Sequence, residues 1–311
     1  MVATTPPIAR GGDRSPELGG MEPVRQTLVT SDGVRLAANW YPGREAPVKS
    51  LIAMPALAAP QRYLKHPARW LQERGWGVLT FDYRGIGGSE PKARHGAGVR
   101  LLDWATKDMT AAIDWVRREV RPRFLAGLGH SIGGQILPFC PAQWHFDALV
   151  HVSVQSGDIR FWQGRDKALL AIVYYLYPAV ARALGYLPGR RLGLGTSIPS
   201  DVFLQWCRWG REGVYTDESG ASLEHLYASV TQPILCFSFE DDRRYAPRPA
   251  VMHLHRQFTN ATVEYRHVRP SDYGLAHIGH FGFFRPECGE ALWEEMITWL
   301  DARDPALVAT P

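Results

Sequence analysis

Short apolar strands alternate with helical stretches along most of this chain. That alternation predicts an α/β protein with a mostly parallel central sheet and helices on both faces. Two further observations support it. A Gly-x-Ser-x-Gly turn falls between an apolar strand and a helix, where an α/β sheet presents its chemistry. Acidic and histidine-bearing loops then follow later strands, in the order serine, acid, histidine. One stretch breaks the alternation, and it predicts a helical insert over 158–228 with core on either side, 23–157 and 229–304.

The elements are read in order as follows. Residues 1–22 are rich in proline, glycine and charge and form an expected disordered leader. Val24–Thr30 and Val34–Tyr41 are β-rich runs flanking Ser31-Asp32-Gly33, a hairpin signal. Leu51–Met54 reads as a strand, Arg62–Arg74 as a helix and Val78–Phe81 as a strand. Leu101–Val120 carries apolar residues at helical spacing. Phe124–Leu128 and Ala148–Val154 are strands. From Asp158 to Ala228 the segments are helical and aromatic, with Trp162, Tyr174 and Trp206 among them. Ile234–Phe239 resumes the strands, followed by a helix near Arg248–Phe258, the strand Thr262–Val268 and a helix from Glu287 to Leu300. Residues 305–311 are left as a tail.

Composition narrows the class. The 311 residues are 45% hydrophobic and 21% charged, ordinary for a globular chain. A formal charge of +4 without a Lys/Arg run gives no nucleic-acid surface. The four cysteines are scattered without paired spacing, so free thiols and a cytoplasmic setting are expected rather than disulfides or zinc. Ala168–Leu184 is the most apolar stretch, but Pro178 and Arg182 interrupt it. It is expected to be a buried or ligand-facing helix and not a membrane span.

The chemistry centres on Gly129-His130-Ser131-Ile132-Gly133-Gly134. A serine hydroxyl is a poor nucleophile until a base and an anion-stabilising site stand beside it. Strand Ile234–Phe239 ends in Glu240-Asp241-Asp242, and Asp242 is the expected acid, with Asp241 and then Asp158 as alternatives. The last strand leads to His277 and His280, and His280 is the expected base. With eleven histidines in the chain, the order of the three groups is what makes this one count. The oxyanion donors are expected to be the backbone N–H groups of Ile132 and of Leu57, in the loop after Leu51–Met54. An acidic pair that merely caps a helix, or a plain proline-bounded turn, accounts for the same residues without chemistry.

The elbow, together with Asp82-Tyr83-Arg84-Gly85-Ile86-Gly87-Gly88-Ser89, resembles the α/β-hydrolase superfamily. Gly279-His280-Phe281-Gly282 resembles that family's histidine loop, and the likeness runs over residues 23–303. It is most similar to a bacterial branch of hydrolases in which a Pro-Ala-x-Gly loop replaces the common His-Gly oxyanion loop. Here Ala58 stands where that glycine is usual. The resemblance implies a serine esterase that works through an acyl-enzyme, without metal or organic cofactor, under a helical lid. Trp162, Tyr174 and Trp206 of that lid are the expected lining for a hydrophobic ester. The same aromatics also suit an insert core or a homodimer face. An acyltransferase with the same triad, or a non-catalytic ligand-binding protein, stays open. His130 is expected to support the elbow by packing, and Arg190 and Arg191 to meet an anion or sit in a solvated turn.

Overall fold

The computed structural model describes residues 21–44 and 49–308. The leader expected over 1–22 lies outside the described residues except for Met21 and Glu22, and the 305–311 tail is described only to Val308.

Eight strands make one sheet. In chain order they are β1 (Val24–Val29), β2 (Arg35–Tyr41), β3 (Lys49–Met54), β4 (Gly77–Phe81), β5 (Phe124–His130) and β6 (Ala148–Val152). Two short strands, β7 (Tyr186–Leu187) and β8 (Ile198–Pro199), pair apart from it. β9 (Ile234–Phe239) and β10 (Val263–Val268) complete it. The spatial order is β1-β2-β4-β3-β5-β6-β9-β10. β2 runs antiparallel to both β1 and β4, and all other pairs are parallel.

The sequence dictates this layering directly. β4, β5, β6 and β9 are buried along their whole lengths, the continuous apolar signature of strands covered on both faces. Within β3 the side chains alternate between two cores: Ile52 and Met54 join one, Leu51 and Ala53 the other. The helix over 101–120 closes the first face with Trp104, Met109, Ile113 and Val116. Lys65–Glu73 and Pro286–Asp301 close the second with Trp70, Leu71, Trp293 and Leu300. The 101–120 helix takes wide π-type turns at Trp104–Met109 and Val116–Val120.

The 158–228 segment is mainly helical. Its first helix runs Gly164–Leu184, four residues earlier than the apolar stretch marks, and Ser200–Glu212 packs against it. No sequence signal marks β7 and β8, because two-residue strands, one ending in Pro199, carry no period-two pattern.

Candidate active site

β5 delivers Ser131 to the carboxyl edge of the sheet. Ser131 itself sits at φ 52°, ψ −118°, a conformation glycine tolerates and a serine Cβ resists. The glycines around it explain the tightness. A Cβ on Gly129 would lie 2.5 Å from Gly134 Cα, and one on Gly133 would lie 2.3 Å from the Met54 carbonyl oxygen. The elbow therefore presses against the end of β3. Ile132 opens the short helix Ile132–Gln135, so its N–H has no carbonyl one turn back to donate to.

The acid and base loops meet at the same edge. His280 Nδ1 lies 2.7 Å from Asp242 Oδ2, and the two side chains are only 7% and 1% exposed. The neighbouring acid does a different job. Asp241 accepts the backbone N–H groups of Ile278 and Gly279 at 2.8 and 3.0 Å, and it pairs with the exposed His277 at 2.5 Å. Asp242 holds the buried His280 imidazole, and Asp241 shapes the loop that carries it. Asp158 lies elsewhere, accepting Arg160 N–H and pairing with its guanidinium.

His130 joins these parts. The Ala56 N–H donates to the Tyr63 hydroxyl at 3.0 Å, and Tyr63 Oη lies 2.9 Å from His130 Nδ1. On the far side, His130 Nε2 lies 2.9 Å from the His280 carbonyl oxygen. A carbonyl only accepts, so Nε2 carries the proton, and Nδ1 accepts from Tyr63. Burial, and then the adjacent His280, push the His130 pKa well below the usual histidine value, which keeps the ring neutral in that tautomer. The rings of His130 and His280 are 4.7 Å apart at their centroids, which puts the imidazole beside the residue preceding Ser131. Among the described residues no hydrogen bond joins Ser131 Oγ to His280. Catalytic hydrogen bonds in unliganded enzymes are often long.

The loop after β3 is braced from three sides. Ala56 is pinned by Tyr63, and Ala58 adopts φ 58°, so alanine keeps the backbone form that its glycine-like position demands. The Ala58 carbonyl accepts Thr196 N–H from the 158–228 segment at 2.8 Å. Asp82 Oδ1 accepts the Gln61 N–H at 2.6 Å and Asp82 Oδ2 accepts Gly88 N–H at 2.9 Å. Arg84 is buried between Asp32 and Asp108. The Asp82–Ser89 stretch is thus architectural. Leu57 stays half-buried in this loop.

The aromatic residues expected to line a pocket are placed as follows. Trp162 is buried and donates Nε1–H to the Arg244 carbonyl. Tyr174 is buried and donates to the Gly157 carbonyl, and Trp206 packs on its edge, half-buried. Arg190 and Arg191 are exposed. Tyr63, Gln61 and Tyr245, whose ring stands 5.1 Å from that of His280, were not singled out by sequence reasoning. Nothing in their local pattern marks them, since their partners are far away in the chain. The described residues hold no group of three or more His, Cys, Asp or Glu able to grip a metal ion.

Comparison with known proteins agrees with this architecture. Residues 47–152 match a family model described as "Serine aminopeptidase, S33", a stretch that contains the elbow and the Asp82–Ser89 motif. Among solved structures, the esterase of Exiguobacterium antarcticum superposes with a TM-score of 0.58 at 17% identity, covering 89% of this chain and 99% of that one. A soluble variant of Saccharomyces cerevisiae monoglyceride lipase, solved with a substrate analogue, gives 0.69 at 13% identity, covering 93% and 98%. The α/β hydrolase GrgF of a Penicillium species gives 0.62 at 19%, covering 92% and 100%. A curated relative, the uncharacterised YfhR of Salmonella typhi, is 40% identical over 67 residues, 21% of this chain and only 20% of that protein's length. With its strand order and elbow, the chain has the α/β-hydrolase fold.

Proposed function

We propose that the protein is a serine esterase acting on a hydrophobic carboxylic ester. The observation that carries this reading is the buried His280–Asp242 pair at the same sheet edge as a serine held at φ 52°. Ser131 Oγ attacks the ester carbonyl carbon while His280 Nε2 takes the hydroxyl proton. Asp242 accepts the Nδ1–H of His280, fixing its tautomer and stabilising the imidazolium. The oxyanion rests on the N–H groups of Ile132 and Leu57. Collapse breaks the C–O bond to the leaving alcohol, which takes the proton from His280. Water, deprotonated by the same imidazole, then releases the acid and restores Ser131.

The 158–228 segment acts as the lid over this edge, and Trp162, Tyr174 and Trp206 bias it toward apolar acyl groups. The names of the esterase and monoglyceride lipase neighbours favour an ester. The family description favours a second substrate, the amide of an N-terminal amino acid. A fluorophosphonate probe tests the nucleophile: labelling at Ser131, lost in Ser131→Ala, is the expected result. p-Nitrophenyl esters of increasing acyl length, run beside aminoacyl p-nitroanilides, test the substrate. Faster turnover of the anilides would replace the esterase reading with the peptidase one.

A further inference from the structure

We propose that the outward face of the Gly164–Leu184 helix docks on the surface of an anionic lipid bilayer. This goes beyond the esterase reading and does not depend on it. The helix is 21 residues long, and its most apolar 18-residue window has mean hydropathy 1.3. One side is committed to the protein: Tyr174, Pro178 and Ala181 are buried, and the Tyr174 ring fits so closely that a Cβ on Gly210 would lie 2.3 Å from it. The other side is apolar and uncovered. Ile172, Tyr175, Leu176, Val180 and Leu184 are 40%, 59%, 62%, 36% and 50% exposed. They are five of the eleven exposed large hydrophobic side chains among the described residues, gathered on one helix. A helix that is apolar all round is ordinarily covered all round. A concentrated exposed patch marks a docking site, whereas single exposed apolar residues need no explanation.

Charge decides what covers it. The helix itself carries Arg165, Lys167 and Arg182 against one acid, Asp166. All three cations are exposed, and none is in an ion pair among the described residues. Two copies meeting through this face would bring like-charged rims together. An anionic bilayer meets the same rim with opposite charge and takes the apolar side chains into its acyl boundary. The helix lies on the membrane and does not span it, because its inner face would have to leave the core.

The test is flotation of the full chain with vesicles of phosphatidylcholine containing a quarter phosphatidylglycerol. Wild type is expected to float with these vesicles, to float far less with phosphatidylcholine alone, and to be released as salt rises from about 0.1 to 0.5 M. The surface variant Tyr175→Ser/Leu176→Asp should lose about tenfold or more of the bound fraction. Arg165→Glu/Arg182→Glu should weaken binding to the anionic vesicles only. Circular dichroism of each variant checks folding, and because the readout is lipid binding, a failed esterase assay leaves the result standing. Three outcomes overturn the proposal. One is wild type that stays out of the floating fraction, and another is binding that Leu176→Asp leaves intact. The third is a dimer in light scattering that Leu176→Asp splits, which gives the face to a second copy.

Discussion

The Tyr63 hydroxyl lies 2.9 Å from His130 Nδ1, and through that contact the loop after β3 is tied to the residue that precedes the candidate nucleophile. Tyr63 also receives the Ala56 N–H, and His130 holds the His280 carbonyl. Both walls of the site therefore share one buried hydrogen-bonded chain. Tyr63→Phe removes the middle link and leaves a backbone donor and a ring nitrogen without partners. It should cost about 1–3 kcal/mol in urea unfolding. It should also lower kcat on a soluble ester about tenfold with little change in KM, because the oxyanion donor shifts and ground-state contacts do not. Unchanged stability and kcat together would mean the chain of contacts has no mechanical role.

Ser131 offers a way to separate strain from chemistry. Ser131→Ala should fold normally and lose roughly 10⁴-fold or more in turnover. Ser131→Gly should be equally inactive yet more stable than Ser131→Ala by about 1–2 kcal/mol, because it alone removes the Cβ that resists φ 52°. Equal melting temperatures for the two variants would show that the elbow is relaxed.

The two adjacent acids should part ways. Asp242→Asn leaves His280 without its tautomer-fixing acceptor and should reduce kcat by about 10⁴-fold. Asp241→Asn still offers an oxygen to the Ile278 and Gly279 N–H groups, so turnover should stay within about tenfold of wild type. Steady-state kinetics on both variants is the check, and the reverse ranking would transfer the acid role to Asp241.

Much of this was legible in the chain. Strand β9 falls on the residues its apolar run marks, and the Asp-Gly hairpin is present between β1 and β2. Other features follow from partners far away. β5 extends past Leu128 because Gly129 and His130 pair with Met54 on one side and with His151 and Val152 on the other, although neither residue favours strands. The division of labour between Asp241 and Asp242 depends on which carboxylate faces the loop 38 residues later, and adjacency in sequence hides it. The link from Ala56 through Tyr63 to His130 spans 7 and then 67 residues, with no local pattern to betray it.

A second histidine pair, remote from the site, adds to the response to acid that buried His130 also gives. His151 Nδ1 lies 3.0 Å from His255 Nε2 between β6 and the helix Arg248–His255, and both rings are buried. Burial lowers the His151 pKa well below its usual value, and it lowers that of His255 from 6.5 to about 4. Well above pH 6.5 both rings are neutral in folded and unfolded chains, so they add no pH dependence there. Below it, the unfolded chain binds protons that the folded chain refuses, and stability falls with pH until about 4, where folded His255 protonates as well. The loss from His255 reaches about 3 kcal/mol over that window. Urea unfolding at pH 7.5, 6, 5 and 4.5 should show the decline, and His151→Leu/His255→Leu should make it shallower, the remainder coming from His130. A double variant that keeps the wild-type slope would assign the acid sensitivity to other groups.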